Sequence, residues 1–347
     1  MNSNLSRSNT CRFEGCTITG ALAVSAFVTD AVSIVHGPSG CAHHNLSLLH
    51  ATTQHQYARH PLSLHSSCLK ENDIIFGGEE ALEKSIEKAL DKNPGAIFVI
   101  STCIVETIGD DVEAVCAKEW DVPVIYLKSA GFLGGAFNEG FMNALLAMTH
   151  LIEPPTYREY SVNLIGEKNL EFEVEEHYQE IFRLLRRFDI PVNVRFVRNA
   201  STREIARTGN ATLNILREEN LAPLGQYLSH HYNIPYIPKF PVGLKATNTF
   251  LEDLGRRWGV SARDAVREEE AYQEEIIAEF EDLRGESITF DSFGFQNAEL
   301  DMLREVAEAV GMTIRPEGTV IPIPMGMPVG SSGIARMLRE WRRFIHA

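Results

Sequence analysis

Val32-Ser-Ile-Val-His-Gly-Pro-Ser-Gly-Cys41 reads as an apolar strand running into a Gly-Pro-Ser-Gly turn, with a thiol where the next helix starts. Glycines permit a tight turn and close backbone approach, so Gly37 and Gly40 join Cys41 as candidate binding positions. Ala96-Ile-Phe-Val-Ile-Ser-Thr-Cys103 repeats the logic, placing a second thiol past the carboxyl end of a buried strand and before Ile108-Gly-Asp-Asp111. Carboxyl ends of parallel strands are where α/β proteins put their sites. Cys16 opens the apolar run Thr17–Val35, which reads as a buried helix interrupted by Asp30. A helix start lowers a thiol pKa and favours an anionic ligand or cluster.

Around these stretches, short β-branched runs alternate with amphipathic ones. Val122–Leu127, Val162–Gly166 and Val192–Val197 read as further strands. Glu79–Lys92 places Leu82, Ile86 and Leu90 on one helical face, and Glu175–Phe188 and Ala298–Val310 behave similarly. The alternation predicts an α/β protein of tandem Rossmann-like parallel-sheet domains with right-handed crossovers. Boundaries are expected near Pro154-Pro155 and near residue 262. They give a cluster-binding domain at 1–155, a second Rossmann-like domain at 156–262 and a reduced third segment at 263–347. That last segment begins with an acidic stretch, Asp264–Leu283, expected to be a solvated helix.

The chain has 347 residues, with 47 Asp+Glu against 32 Lys+Arg and a net charge of −15. A hydrophobic content of 44% supplies enough apolar surface to offset ordering entropy, which argues against disorder. The acidic balance argues against general binding to nucleic acid or to an acidic membrane. Met1–Thr10 is polar with no apolar core, so no signal peptide is expected, nor any membrane span, and the expected location is cytoplasmic. Six cysteines in such a chain are thiols, metal ligands or catalytic groups rather than a disulfide framework.

Three thiols at three helix starts, Cys16, Cys41 and Cys103, are one short of a four-thiolate cluster shell. The shortage points to a subunit interface, where a second chain completes it. The competing reading is that free cysteine is a small buried hydrophobe. Cys68, in Ser66-Ser-Cys-Leu-Lys70 just before Asp73-Ile-Ile-Phe-Gly-Gly78, is an accessory candidate. Cys11 pairs with Cys16 as C-x4-C, a weak signal, and Cys116 reads as core. Seven of the twelve histidines lie in 36–65, which reads either as a polar loop or as a loop over a redox site where histidine supplies protons. Gly78-Glu-Glu-Ala-Leu-Glu-Lys84-Ser85 mimics a phosphate-binding loop, but Glu83 stands where its second glycine belongs and would repel phosphate. Gly131-Phe-Leu-Gly-Gly135 is not a dinucleotide fingerprint.

The ordered set of Cys16, His36-Gly-Pro-Ser-Gly-Cys41, Asp73–Gly78, Ser101-Thr-Cys103 and Ile108-Gly-Asp-Asp111 resembles the nitrogenase component 1 superfamily. That group spans nitrogenase α and β subunits, their cofactor-assembly scaffolds, the dark-operative protochlorophyllide and chlorophyllide reductases and the nickel-tetrapyrrole reductive cyclase of methanogens. The likeness continues through Val162–Gly166, Asn233-Ile-Pro-Tyr236 and Phe240-Pro-Val-Gly243. It implies an iron–sulfur cluster, of 4Fe-4S or 8Fe type, held at a subunit interface by Cys16, Cys41 and Cys103. It implies a homodimer, or a heterodimer or heterotetramer with a related subunit. It also implies a separate NifH-like iron–sulfur reductase that hydrolyses ATP and delivers electrons. The family's α subunit anchors its large cofactor with a cysteine after Leu-Asn, whereas Leu213-Asn-Ile-Leu-Arg-Glu-Glu219 has none, so dinitrogen chemistry is not expected here. The leading expectation is therefore a two-component oxidoreductase passing low-potential electrons to a small molecule such as a tetrapyrrole. The alternative is a non-catalytic scaffold that assembles a metallocofactor. A third reading is a binding module that has lost its cluster.

Overall fold

The computed structural model describes residues 15–55, 62–291, 300–324 and 326–347. The expectations on Met1–Thr10 and on Cys11 lie outside the described residues, as do part of the histidine-rich stretch and the start of the Ala298–Val310 helix. The remaining chain is α/β, and every pairing between its named strands is parallel.

Helix α1 (Thr17–Ser25) is buried along its whole length. The expected helix over Thr17–Val35 therefore stops early, and after a turn the chain becomes strand β1 (Ala31–His36). The β-branched Val32, Ile34 and Val35 favour the pleated conformation, and the strand's side chains are buried on both faces of the sheet. Helix α2 (Ser39–His55), strand β2 (Leu64–Ser66), helices α3 (Glu71–Phe76) and α4 (Glu79–Leu90), and strand β3 (Ala96–Ser101) follow. Short helices α5 (Cys103–Ile108) and α6 (Val112–Cys116), strand β4 (Val124–Leu127) and helix α7 (Phe137–Met148) complete the first sheet layer. The strand order is β2-β1-β3-β4, with Ala31–His36 paired residue for residue to Ala96–Ser101. The order reverses between β1 and β3, and that switch point opens a crevice at their carboxyl ends.

Helices α1 and α7 approach backbone to backbone. A Cβ on Gly20 would lie 2.0 Å from the Phe137 carbonyl oxygen, and one on Gly140 would lie 2.0 Å from that of Thr17. This contact fixes the start of α1, where Cys16 also bridges to Ala136.

A second sheet uses β5 (Val162–Ile165), β6 (Val192–Phe196), β7 (Leu213–Leu216) and β8 (Tyr236–Ile237) in the order β6-β5-β7-β8, the same winding as the first. A third has three strands, β9 (Ser287–Asp291), β10 (Thr313–Ile314) and β11 (Thr319–Pro322), in the order β10-β9-β11.

The molecule divides into two compact units. One holds the residues through Phe172 together with Val192–Pro238, and so carries both four-stranded sheets. The other takes Glu173–Pro191 and Lys239–Ala347. In this second unit, helix α8 (Val174–Arg186) contributes Arg183, which meets helix α9 (Arg263–Glu279). The acidic stretch is thus helical as expected, but it is not wholly solvated. Glu269 is fully buried, with Arg183 Nη1 at 2.7 Å and Arg187 Nη2 at 3.1 Å.

Candidate metal centre

The switch-point crevice of the first sheet collects all three expected thiols. Cys16 is the N-cap of α1 and is buried. Cys41 lies in the first turn of α2, and Cys103 is the first residue of α5; both are half-buried. Each thiol therefore stands where unpaired helix N–H groups point. The helix starts do not lower every thiol, however. Burial pushes the Cys41 thiol up, and the nearby Cys103 and Cys16 thiols push it further. The expectation of a depressed pKa fails here because desolvation and crowding of like groups outweigh the helix start. Cys41 thus lies within electrostatic reach of both other thiols.

Among the described residues, no three His, Cys, Asp or Glu side chains gather closely enough to hold a single metal ion. Three thiol donors are the ligand type that an iron–sulfur group takes. Loading such a group would displace the thiol protons.

The glycines beside the thiols differ in what they do. Gly37 has φ +154°, and a Cβ there would meet Thr102 Oγ1 at 2.2 Å. At Gly40 a Cβ meets nothing within 4 Å, so the space over its backbone is open. Gly131, φ +53°, brings a short 3-10 turn (Gly131–Leu133) against Cys103, where a Cβ would stand 3.4 Å from Sγ. The glycine run dismissed as a dinucleotide fingerprint thus has a different use: it packs on a thiol.

Cys68 is exposed on the crevice rim, with φ +54°. Its N–H donates to Ser66 Oγ at 3.0 Å, and the next residue, Leu69, donates its N–H to the Gly37 carbonyl at 3.1 Å. Cys116 is buried, and burial with Glu113 nearby pushes its thiol up to about 12. The Ile108-Gly-Asp-Asp111 motif works as a joint. Gly109 closes α5 with φ +80°, Asp110 reaches His36, and Asp111 caps α6 by accepting from the Ala114 N–H at 2.9 Å.

The histidine-rich stretch is not chiefly a loop, because Ser39–His55 is helical. His43, His44 and His50 are exposed on α2, whereas His36 is buried and bonded. His65 is half-buried, and burial with Lys92 and Lys88 nearby lowers its pKa. The side chain of His55 is not among those described. Lys84 of the false phosphate loop lies on α4 and pairs with Glu80 at 2.6 Å.

Sequence reading missed the rim of the crevice. Ile75, Phe76, Phe132 and Leu133 are 69%, 84%, 71% and 68% exposed, and they project from α3 and from the turn that packs on α5. No side chain of α3 is buried. The available signal was that both runs, Ile-Ile-Phe-Gly-Gly and Gly-Phe-Leu-Gly-Gly, set large apolar residues against glycine without helical or strand periodicity. An apolar patch of this kind marks an interaction surface. Among the described residues, no helix is long and apolar enough to cross a membrane.

Residues 16–318 match the family described as nitrogenase component 1 type oxidoreductase. A nitrogenase iron-molybdenum cofactor biosynthesis protein NifE from Clostridium pasteurianum is 32% identical over 279 residues, which is 77% of this chain and 60% of that protein. NifE of Methanococcus maripaludis is 32% identical over 294 residues, 80% of this chain and 60% of that one. The nitrogenase molybdenum-iron protein alpha chain of Methanothermobacter thermautotrophicus is 26% identical, covering 86% of this chain and 68% of that protein. The chain thus spans about three-fifths of the length of these NifE relatives. The solved structure of nitrogenase Cp1 at pH 5 superposes with a TM-score of 0.67 at 22% identity, covering 95% of this chain and 70% of that one, and so shares the fold. The chain belongs to the nitrogenase component 1 type oxidoreductase family.

Proposed function

We propose that this chain is a cluster-binding scaffold subunit that holds an iron–sulfur group during assembly of a nitrogenase-type metallocofactor. The observation that carries the reading is the convergence of Cys16, Cys41 and Cys103 on one sheet switch point, at three helix starts. The NifE relatives, named as cofactor biosynthesis proteins, favour this reading over tetrapyrrole reduction, which led the sequence-based expectations. The three thiols supply thiolate ligands, and a fourth comes from a related or identical subunit docked on the rim of Ile75, Phe76, Phe132 and Leu133. Cys68 stands beside the same loop as a reserve ligand. Held by these residues, an iron–sulfur group would supply one-electron chemistry. The protein's part is to exclude water, fix the three sulfurs and release their protons on loading. ATP hydrolysis belongs to a separate NifH-like reductase, in keeping with a Lys84 that pairs with Glu80 on an ordinary helix.

A reductase role is the second reading, and the end of β7 favours it. Arg217 and Glu218 stand there rather than a thiol, so a large iron–sulfur cofactor lacks a cysteine anchor at that edge. One experiment separates the two. The protein is purified without oxygen, loaded with labelled iron and sulfide, and incubated with a cluster-free nitrogenase catalytic component. A scaffold loses label to the acceptor; a reductase keeps its label and oxidises its electron donor only when substrate is added. Failure to bind iron at all would overturn both.

A further inference from the structure

We infer that the Thr102 hydroxyl is a hydrogen-bond donor to sulfur that tunes the reduction potential of a cluster held by Cys16, Cys41 and Cys103. The inference rests on the cluster-binding reading above and goes beyond it. It starts from the fate of the hydroxyls around the crevice. Ser101 Oγ donates to Glu106 Oε1 at 2.8 Å and lies 2.8 Å from the Tyr126 hydroxyl. Ser129 Oγ donates to the Ser101 carbonyl. Thr17 Oγ1 faces the carbonyl oxygens of Ser129 and Gly131, the latter at 2.7 Å. Ser67 Oγ accepts from the Gly37 N–H at 2.9 Å and sits 2.8 Å from His36 Nδ1. All four are engaged inside the protein. Thr102 Oγ1 is not: its residue is 0% exposed, and the hydroxyl has no hydrogen-bond partner.

Buried hydroxyls are rarely left unmatched, so an orphan at this place points to a partner the polypeptide does not supply. Its position names the partner. Thr102 is the residue before Cys103 and the N-cap of α5, and its N–H donates to the His36 carbonyl at 3.1 Å. That bond clamps it between the ends of β1 and β3. Gly37 packs its bare backbone against this side chain, since a Cβ there would stand 2.2 Å from Oγ1. The orphan donor thus sits between Gly37, at the start of the loop to Cys41, and the residue that carries the Cys103 thiol, and no oxygen or sulfur of the chain accepts from it, so a sulfur brought in with the cluster is the acceptor assigned to it. A hydrogen bond to sulfur stabilises the more negative, reduced state and raises the reduction potential.

The test compares wild type with Thr102→Val, which keeps the shape and loses the donor, and Thr102→Ser, which keeps the donor. All three are purified without oxygen and reconstituted with ferrous iron and sulfide. Iron per chain is measured, and the midpoint potential is read by spectroscopic titration. The expected result is equal iron in the three proteins, a more negative midpoint for Thr102→Val, and a Thr102→Ser midpoint at the wild-type value. If Thr102→Val does not fold, Thr102→Ala removes the hydroxyl without adding bulk and should show the same negative shift. Equal iron with coincident wild-type and hydroxyl-free midpoints overturns the inference alone and assigns the orphan to a trapped water. A Thr102→Ser midpoint that moves with Thr102→Val also overturns it, since packing is then the cause. A wild type that binds no iron overturns the cluster-binding reading and this inference with it.

Discussion

The Asp110 carboxylate lies 3.2 Å from Nε2 of His36, and both side chains are closed off from solvent. The other carboxylate oxygen accepts from the Gly78 N–H at 2.9 Å, and the other imidazole nitrogen faces Ser67 at 2.8 Å. Three loops around the thiols are thereby tied to one buried pair. Burial holds the imidazole below its ordinary value of 6.5, against the opposite pull of Asp110, Glu79 and Asp73. A base whose pKa is lowered on folding binds fewer protons folded than unfolded. Its contribution is therefore fully present above the unfolded value and is lost as pH falls from 6.5 through the folded value.

The stability of the wild type to urea should accordingly fall as pH drops below 6.5. His36→Asn should be less stable at neutral pH by about 1–3 kcal/mol, the cost of unmatched buried partners, but should show a flatter pH dependence. Parallel slopes for the two proteins would show that His36 is not the titrating group.

Gly37→Ala tests the crowding at the crevice floor. A methyl group 2.2 Å from Thr102 Oγ1 cannot be accommodated without shifting the Cys41 loop or α5. Overpacking of this kind costs about 1–3 kcal/mol, and the displaced loop should load less iron. Gly40→Ala, where a Cβ meets nothing within 4 Å, should melt close to wild type. Thermal melts and iron per chain check both, and identical behaviour of the two variants would contradict the geometry.

Serine in place of Cys16, Cys41 or Cys103, one at a time, should abolish most iron binding. Cys116→Ser should leave it intact, because that thiol is buried and its ionisation is pushed up to about 12. For the same reason alkylation of the folded, iron-free protein near pH 8 should mark the exposed Cys68 well before Cys116. Mass spectrometry of the labelled peptides reads the order directly. Early labelling of Cys116 would contradict its burial.

The apolar rim predicts association. Phe76→Asp or Phe132→Asp removes a side chain that is largely solvent-facing in the isolated chain, so folding should be nearly unchanged. If the rim is the subunit contact, self-association or binding to a related subunit should weaken by roughly 2–4 kcal/mol. Sedimentation measures this, and wild-type association by both variants would remove the rim from the interface.

The strands that frame the crevice were legible because they are simple. Ala96–Ser101 is buried on both faces and reads as one unbroken apolar run, and the strand has those same bounds. The thiol positions followed, since a turn after such a strand has few places to go. The break at Ser25 was hidden because Thr17–Val35 is largely apolar on both sides of it, and composition alone cannot tell a buried helix from a buried strand. The rim was hidden for the opposite reason: exposed Phe76 and Phe132 look like core residues until the fold shows nothing packed over them. Thr102 carried no signal at all, because an orphaned hydroxyl is defined by its surroundings.

Glu269 was misjudged on the same ground, as one acid in a stretch that reads as solvated. It is fully buried on α9, with Arg183 Nη1 and Nη2 each 2.7 Å from its oxygens and Arg187 Nη2 at 3.1 Å. Burial alone would raise its pKa, but the Arg183 fork, Ser331 and Arg187 outweigh that and hold it below the usual 4.5. Its contribution is therefore present above pH 4.5 and is lost as pH falls through the lower folded value. Glu269→Gln would leave Arg183 with the Glu180 carboxylate at 2.7 Å but strip Arg187 of its buried partner. The expected loss is about 3–5 kcal/mol at neutral pH, shrinking as the wild-type carboxylate protonates. Chemical unfolding of the two proteins at about pH 7 and about pH 4 measures the gap. A gap that stays constant between those pH values would mean that the buried pair contributes shape rather than charge.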